Sequence, residues 1–104
     1  MRRQLVSSGA KWEAKVGYSR AVRVGRHVFV SGTTAVDARG RVVGEGDIRA
    51  QAMRIFEIIE ESLREAGACL EDVVRTRMFV TDIADAEALG QADGEVFGRI
   101  RPAA

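Results

Sequence analysis

The hydrophobic and polar pattern is sharpest between Tyr18 and Thr34, which reads YSRAVRVGRHVFVSGTT. Two runs with strand alternation flank Gly25-Arg26, and a two-residue step with glycine first is the signature of a II′ hairpin turn. Strands are therefore expected over Tyr18–Val24 and His27–Ser31. The turn fixes the register, with Val28 and Val30 on one face and His27, Phe29 and Ser31 on the other. With apolar groups on both sides, this second strand is expected to be central in its sheet. Ser31-Gly32-Thr33-Thr34 follows directly and offers hydroxyls beside a backbone with no side chain at Gly32, a surface that a small ligand can approach closely.

Elsewhere the pattern predicts a short edge strand near Gln4-Leu5-Val6, with the rest of Met1–Gly17 as loop. Asp37-Ala38-Arg39-Gly40 reads as a turn, and Arg41-Val42-Val43 as a short strand that completes a three-stranded meander. Asp47 is placed to cap a helix whose apolar stripe runs through Ile48, Ala52, Ile55, Ile59, Leu63 and Ala66, with Gly67 at its end. The carboxylates on the other side of that helix read as a solvated face. Val73 to Thr81 alternates as a strand that returns beside the hairpin through a crossover.

A second helix, capped by Asp82 or Asp85, runs to about Ile100 with a core stripe of Leu89, Val96 and Ile100. Gly90, Gly94 and Gly98 lie four apart along it. Each costs about 1 kcal/mol against alanine, so the helix is expected to be held by close packing on the sheet. The order gives an α+β layer with two helices on one face of the sheet. The other face then lacks cover around Phe29, which predicts a homo-oligomer.

Length and charge narrow the partners. A chain of 104 residues is a single domain, residues 1–104, with a small core. Sixteen basic and fifteen acidic residues, interspersed for a net charge of +1, create no field to attract nucleic acid or an anionic membrane. A small-molecule partner is the expectation. Cys69 stands alone without a basic neighbour and reads as an inert thiol in a reducing compartment. Neither a signal peptide nor a run of about 20 apolar residues is seen, so a cytoplasmic location is expected.

Motifs for phosphate loops, zinc sites or a nucleophile elbow are missing, so no catalytic residue can be assigned and neither metal nor cofactor is expected. His27 is the sole histidine and cannot supply both the acid and the base of a two-histidine ribonuclease within one chain. It reads as a strand residue beside the turn. Without a base beside them, the hydroxyls of Ser31, Thr33 and Thr34 are hydrogen-bonding groups rather than nucleophiles.

Several pieces in order resemble the reactive intermediate deaminase family, also called RidA or YjgF. They are Gly17-Tyr18-Ser19-Arg20-Ala21-Val22, Gly25, Val28-Phe29-Val30-Ser31-Gly32, Ala66-Gly67, Asp72-Val73-Val74 and Phe79-Val80-Thr81-Asp82. The resemblance implies a chorismate mutase-like fold with an antiparallel or mixed sheet, and a homotrimer with small-molecule pockets between subunits. It also implies hydrolysis of enamines or imines such as 2-aminoacrylate without metal or organic cofactor. By position, Tyr18, Ser31, Gly32 and Thr33 would bind substrate. The family's deaminases clamp the substrate carboxylate with an arginine two residues after a proline, where this chain has Ala104 after Pro102. Arg101 is the candidate substitute.

The family's last two strands, with an acidic residue that positions water, are also expected to be absent from this chain. Little turnover of carboxylate-bearing imines is therefore expected. Two alternatives stay open: a non-catalytic metabolite-binding trimer, and an endoribonuclease or translation inhibitor, to which Arg75 or Arg77 would contribute. Few aromatic residues are available for base stacking, which makes nucleic acid the less favoured partner.

Overall fold

The computed structural model describes residues 2–104. Strand β1 (Arg3–Val6) precedes a six-residue helix α1 (Lys11–Val16), then strands β2 (Ala21–Val24) and β3 (His27–Val30), a long helix α2 (Ile48–Glu65) and a helix α3 (Ala86–Phe97). The strands form one antiparallel sheet in the order β1-β2-β3. Ala21 pairs with Val30 and Val24 with His27 across the hairpin, and β1 pairs with the other edge of β2. Gly25 has φ of 58°, and Arg26 is not among the residues of positive φ, the pattern of a turn in which only the first residue must be left-handed.

Three strand expectations are corrected. The first arm of the hairpin begins at Ala21 rather than Tyr18, because Tyr18 turns back on α1 through its N–H to the Glu13 carbonyl at 3.0 Å. β2, not β3, is central, since β1 claims the far edge of β2 and nothing pairs along the outer edge of β3 among the described residues. Arg41–Val43 contributes only an isolated bridge, Val36 to Val42. There the Asp37 carboxylate accepts from the Arg39 and Arg41 N–H groups, each at 2.9 Å, and closes a tight loop instead of extending a strand.

The stretch from Val73 to Thr81 departs furthest from expectation. It makes one parallel bridge, Arg75 to Ala103, with the Thr76 N–H donating to Ala103 at 2.8 Å and the Ala103 N–H to Val74 at 2.9 Å. Beyond Thr76 it has no backbone hydrogen bond among the described residues. It does not return beside the hairpin as a paired strand.

The loop expected over Met1–Gly17 contains helix α1, with Met1 outside the described residues. This helix has no apolar stripe to betray it. It is anchored by Glu13, which is 6% exposed and accepts from the Ser7 hydroxyl at 2.9 Å, the Ser8 N–H at 3.2 Å and the Ser8 hydroxyl. Burial alone would raise the Glu13 pKa, but these donors together outweigh it and hold the carboxyl below its ordinary value.

α2 starts where expected, with the Asp47 carboxylate accepting from the Ala50 N–H at 3.0 Å. It lies between two small cores. On the sheet side, Val6, Ala21 and Ala66 are buried with Val28 and Val30 packed against them. On the other side, Ala52 and Phe56 meet Ala92 and Phe97 of α3, with the two phenyl rings edge to face at 5.6 Å. Phe56 lay outside the stripe read from sequence because α2 is buried along two faces rather than one. Arg23 and Gln4 tie the sheet to the end of α2 by donating to the Ala66 and Glu65 carbonyls at 2.7 and 2.9 Å.

α3 forms, but it packs on α2 and not on the sheet as expected, and two of its glycines are not pressed against anything. A Cβ at Gly90 or Gly94 would meet no atom within 4 Å, so α3 is held by its opposite side. The architecture is α+β, with α2 on the Val28/Val30 side of the sheet and α3 packed on α2. The Leu5-Val22-Phe29 row on the other side is open, Leu5 being 60% and Phe29 64% exposed.

Candidate functional site

The β2–β3 register brings residues 18–20 against 31–33. The Ser31 N–H donates to the Arg20 carbonyl at 3.0 Å, and the Ser31 hydroxyl donates to the Ser19 carbonyl at 2.7 Å. Thr33 donates its hydroxyl to the Ser31 carbonyl at 2.9 Å. Tyr18 lies over the Arg20 guanidinium, 5.8 Å from ring centroid to the central carbon, and the same guanidinium donates to the Gly32 carbonyl. Four of the five expected site residues, Tyr18, Ser31, Gly32 and Thr33, therefore share one corner of the sheet. Arg20 joins them there, although sequence reasoning passed over it as an ordinary strand residue.

Arg101 stands apart. It ends the turn after α3 with its N–H on the Phe97 carbonyl at 2.8 Å, and no hydrogen bond or ring contact links it to the other four among the described residues. Its φ of 56° is the only positive value outside glycine among the described residues, a conformation that costs such a side chain roughly 1 kcal/mol.

The hydroxyl geometry restricts the chemistry. Ser31 and Thr33 have committed their protons to backbone carbonyls, so toward a ligand their oxygens can only accept. Among the described residues no side-chain base hydrogen-bonds to either hydroxyl. A ligand carrying N–H or O–H donors, or a water held for attack, suits this surface. Tyr18 is 38% exposed and its ring borders the same corner. A Cβ built on Gly32 meets nothing within 4 Å, so the approach to the backbone is open.

Other candidate groups are accounted for elsewhere. His27 stacks on Phe29, with ring centroids 6.4 Å apart, on the open face of β3. Cys69 is exposed, and its hydrogen bonds to Glu71 and Asp72 raise the thiol pKa, which makes it a poor nucleophile. Among the described residues no group of three or more His, Cys, Asp or Glu side chains gathers to hold a metal ion. No helix among them is long and apolar enough to cross a membrane.

Two open grooves lie away from the hairpin corner. One, of about 310 Å³, is bordered by Gly46, Gln51, Phe79 and Asp85; the other, of about 450 Å³, by Thr76, Met78, Phe79 and Ala104. Both follow the unpaired strip around Phe79, and neither touches Tyr18, Ser31, Gly32 or Thr33. At Gly32 the hairpin corner is open, with no atom within 4 Å of where a Cβ would stand.

Comparison with known proteins now decides the family. A family model described as Endoribonuclease L-PSP matches residues 8–104. The chain belongs to this family, the RidA/YjgF family. Its fold superposes on a crystal structure of a YjgF/YER057c/UK114 family member from Mycobacterium tuberculosis with a TM-score of 0.87 at 46% identity, covering 98% of this chain and 80% of that one. An uncharacterized protein of Streptomyces coelicolor is 39% identical over 97 residues, 93% of this chain and 72% of that protein. The 3-aminoacrylate deaminase RutC of Acinetobacter baylyi is 37% identical over 86 residues, 83% of this chain and 68% of RutC. The ordered motifs from Gly17 to Asp82 thus mark a RidA-family chain, and the chorismate mutase-like α+β fold is that of its relatives.

Proposed function

We propose that this chain binds a small enamine or imine at the Tyr18, Ser31, Gly32 and Thr33 corner and hydrolyses it, with a second subunit supplying the missing wall of the pocket. The observation that carries this reading is the pair of acceptor-only hydroxyls beside an open glycine backbone. An enamine that tautomerises to its imine presents an electrophilic carbon and an N–H that such acceptors can hold. Water adds its oxygen to that carbon, the C–N bond then breaks, ammonia leaves with the protons, and a carbonyl product remains. Similarity to a deaminase of 3-aminoacrylate supports this substrate class. The exposed Leu5-Val22-Phe29 row supports a homotrimer whose sheets meet on that face.

Ammonia release from an enamine generated in situ tests the reading. Tyr18→Phe removes one hydroxyl from the corner, and a lost hydrogen bond to a charged ligand lowers turnover roughly tenfold to a hundredfold. Gly32→Trp is expected to abolish turnover while far-ultraviolet circular dichroism stays unchanged, since the position has room for a side chain. Robust turnover that Gly32→Trp leaves intact places the site elsewhere. Binding without turnover favours a metabolite-binding trimer. The name of the matching family model keeps an RNA arm in the test: cleavage of labelled RNA that is lost with Arg75→Ala or Arg77→Ala favours the endoribonuclease reading.

A further inference from the structure

His27 stands on the open face of the sheet, outside the ligand corner. Register puts it opposite Val24, and Val24 opposite Arg3, so these three side chains form one row across β3, β2 and β1. The next row is Leu5-Val22-Phe29, the apolar stripe on which the proposed subunits meet. His27 borders it directly and is exposed. Its ring lies 19° from parallel to that of Phe29, with centroids 6.4 Å apart, so an uncharged imidazole extends the apolar stripe by one side chain.

The charged groups around this ring are of one sign. Arg3 ends the histidine's own row, Arg26 occupies the turn beside it, and Arg20 lies past Val22 on the same face, under the Tyr18 ring. The one carboxylate that α1 brings to the sheet is Glu13, which is buried and already accepts from Ser7 and Ser8. α2, with its acidic groups, packs on the opposite side. Among the described residues, therefore, the open face holds no carboxylate to receive a protonated histidine. Copies that meet through identical faces bring the same groups to the contact, whatever the rotation between them. A neutral imidazole adds to the apolar area they bury, whereas an imidazolium brings a charge that must leave water among arginines.

We propose that His27 is a pH-sensitive switch of self-association: unprotonated, it lets copies of this chain meet on the open sheet face, and protonated, it drives them apart. The switch rests on the reading that a second subunit completes the pocket, and it names the condition under which that subunit is lost. Imidazole is the side chain that ordinarily takes up its proton between about pH 5 and pH 8. Contact between the faces favours the uncharged ring, so the sign is fixed and acid dissolves the assembly. The association constant falls by roughly tenfold per pH unit for each ring that must shed its proton.

Sedimentation velocity of the full chain at about pH 8 and about pH 5.5, at one concentration and one ionic strength, tests the switch, with circular dichroism following the fold at both. Wild type is expected to sediment as an oligomer at the higher pH and as smaller species at the lower. His27→Gln and His27→Phe take up no proton and should stay assembled at both, while His27→Lys carries its charge throughout and should already be weakened at the higher pH. An acid loss of assembly that either neutral variant shares with wild type overturns the switch, because the titrating group then lies elsewhere. Wild type that stays equally assembled in acid overturns it as well. The underlying reading fails in a different way. Wild type that is monomeric at the higher pH overturns the meeting of subunits itself, and an assembly that survives Phe29→Asp meets on another surface; either result removes the switch with it.

Discussion

The hairpin and the strip from Val73 to Thr81 carry the same alternation of apolar and polar residues, and they end in opposite conditions. In the hairpin each residue of β2 has a partner on both sides, Ala21 is fully buried, and the side-chain hydroxyls that follow are bonded to the backbone. In the strip one bridge, Arg75 to Ala103, holds the start of the segment, Phe79 is 88% exposed and Val74 is 78% exposed. Alternation makes a segment able to be a strand; a neighbour with matching donors and acceptors makes it one. The hairpin brings its neighbour within two residues of turn, whereas the strip depends on a partner from far along the sequence or from another chain.

The comparison breaks most decisively at two phenylalanines. Phe97 is 4% exposed and packs edge to face on Phe56, so Phe97→Ala should cost about 3–5 kcal/mol in urea unfolding. Phe79→Ala, at the same residue type on the strip, should cost within about 0.5 kcal/mol for the isolated chain. A loss at Phe79 approaching that at Phe97, and growing with protein concentration, would mean that the strip is packed in solution against a second copy.

This contrast also separates what could be read from sequence and what could not. The hairpin turn, the Asp47 cap and the α2 boundary were legible because each depends on residues a few positions apart. The corner of Tyr18, Ser31, Gly32 and Thr33 was legible for the same reason, being two strand ends joined by a two-residue turn. The burial of Arg20 at this corner was hidden because strand alternation does not say whether a polar side chain finds a partner. α1 was hidden because it is held by a carboxylate and two serines instead of an apolar stripe. The two-sided burial of α2, which brings in Phe56, follows only from the placement of α3.

A next test weighs the polar anchor of the hairpin region. Glu13→Gln keeps the shape but removes the charge that Ser7 and Ser8 bond, with an expected cost of about 1.5–3 kcal/mol at neutral pH. The sign with pH follows from the depressed pKa. Stability from this carboxylate is complete above its ordinary value of 4.5 and is lost as pH falls through the lower folded value. Wild type and variant should therefore converge in acid, which urea titrations between pH 7 and pH 3 would read. A constant gap across that range would mean that packing, not the carboxylate charge, holds α1.

The smallest expected effect is a gain, and it lies on the open side of α3. Gly94 occupies the interior of that helix, where glycine costs about 1 kcal/mol relative to alanine because the unfolded chain has more backbone freedom to lose. That cost is tolerated in many helices because a neighbour needs the space, but a Cβ at Gly94 meets nothing within 4 Å. Gly94→Ala should therefore stabilise the isolated chain by about 1 kcal/mol, seen as a higher urea midpoint at unchanged slope. The opposite sign, destabilisation that deepens as protein concentration rises, would mark the Gly90 and Gly94 side of α3 as a surface that a second subunit approaches closely.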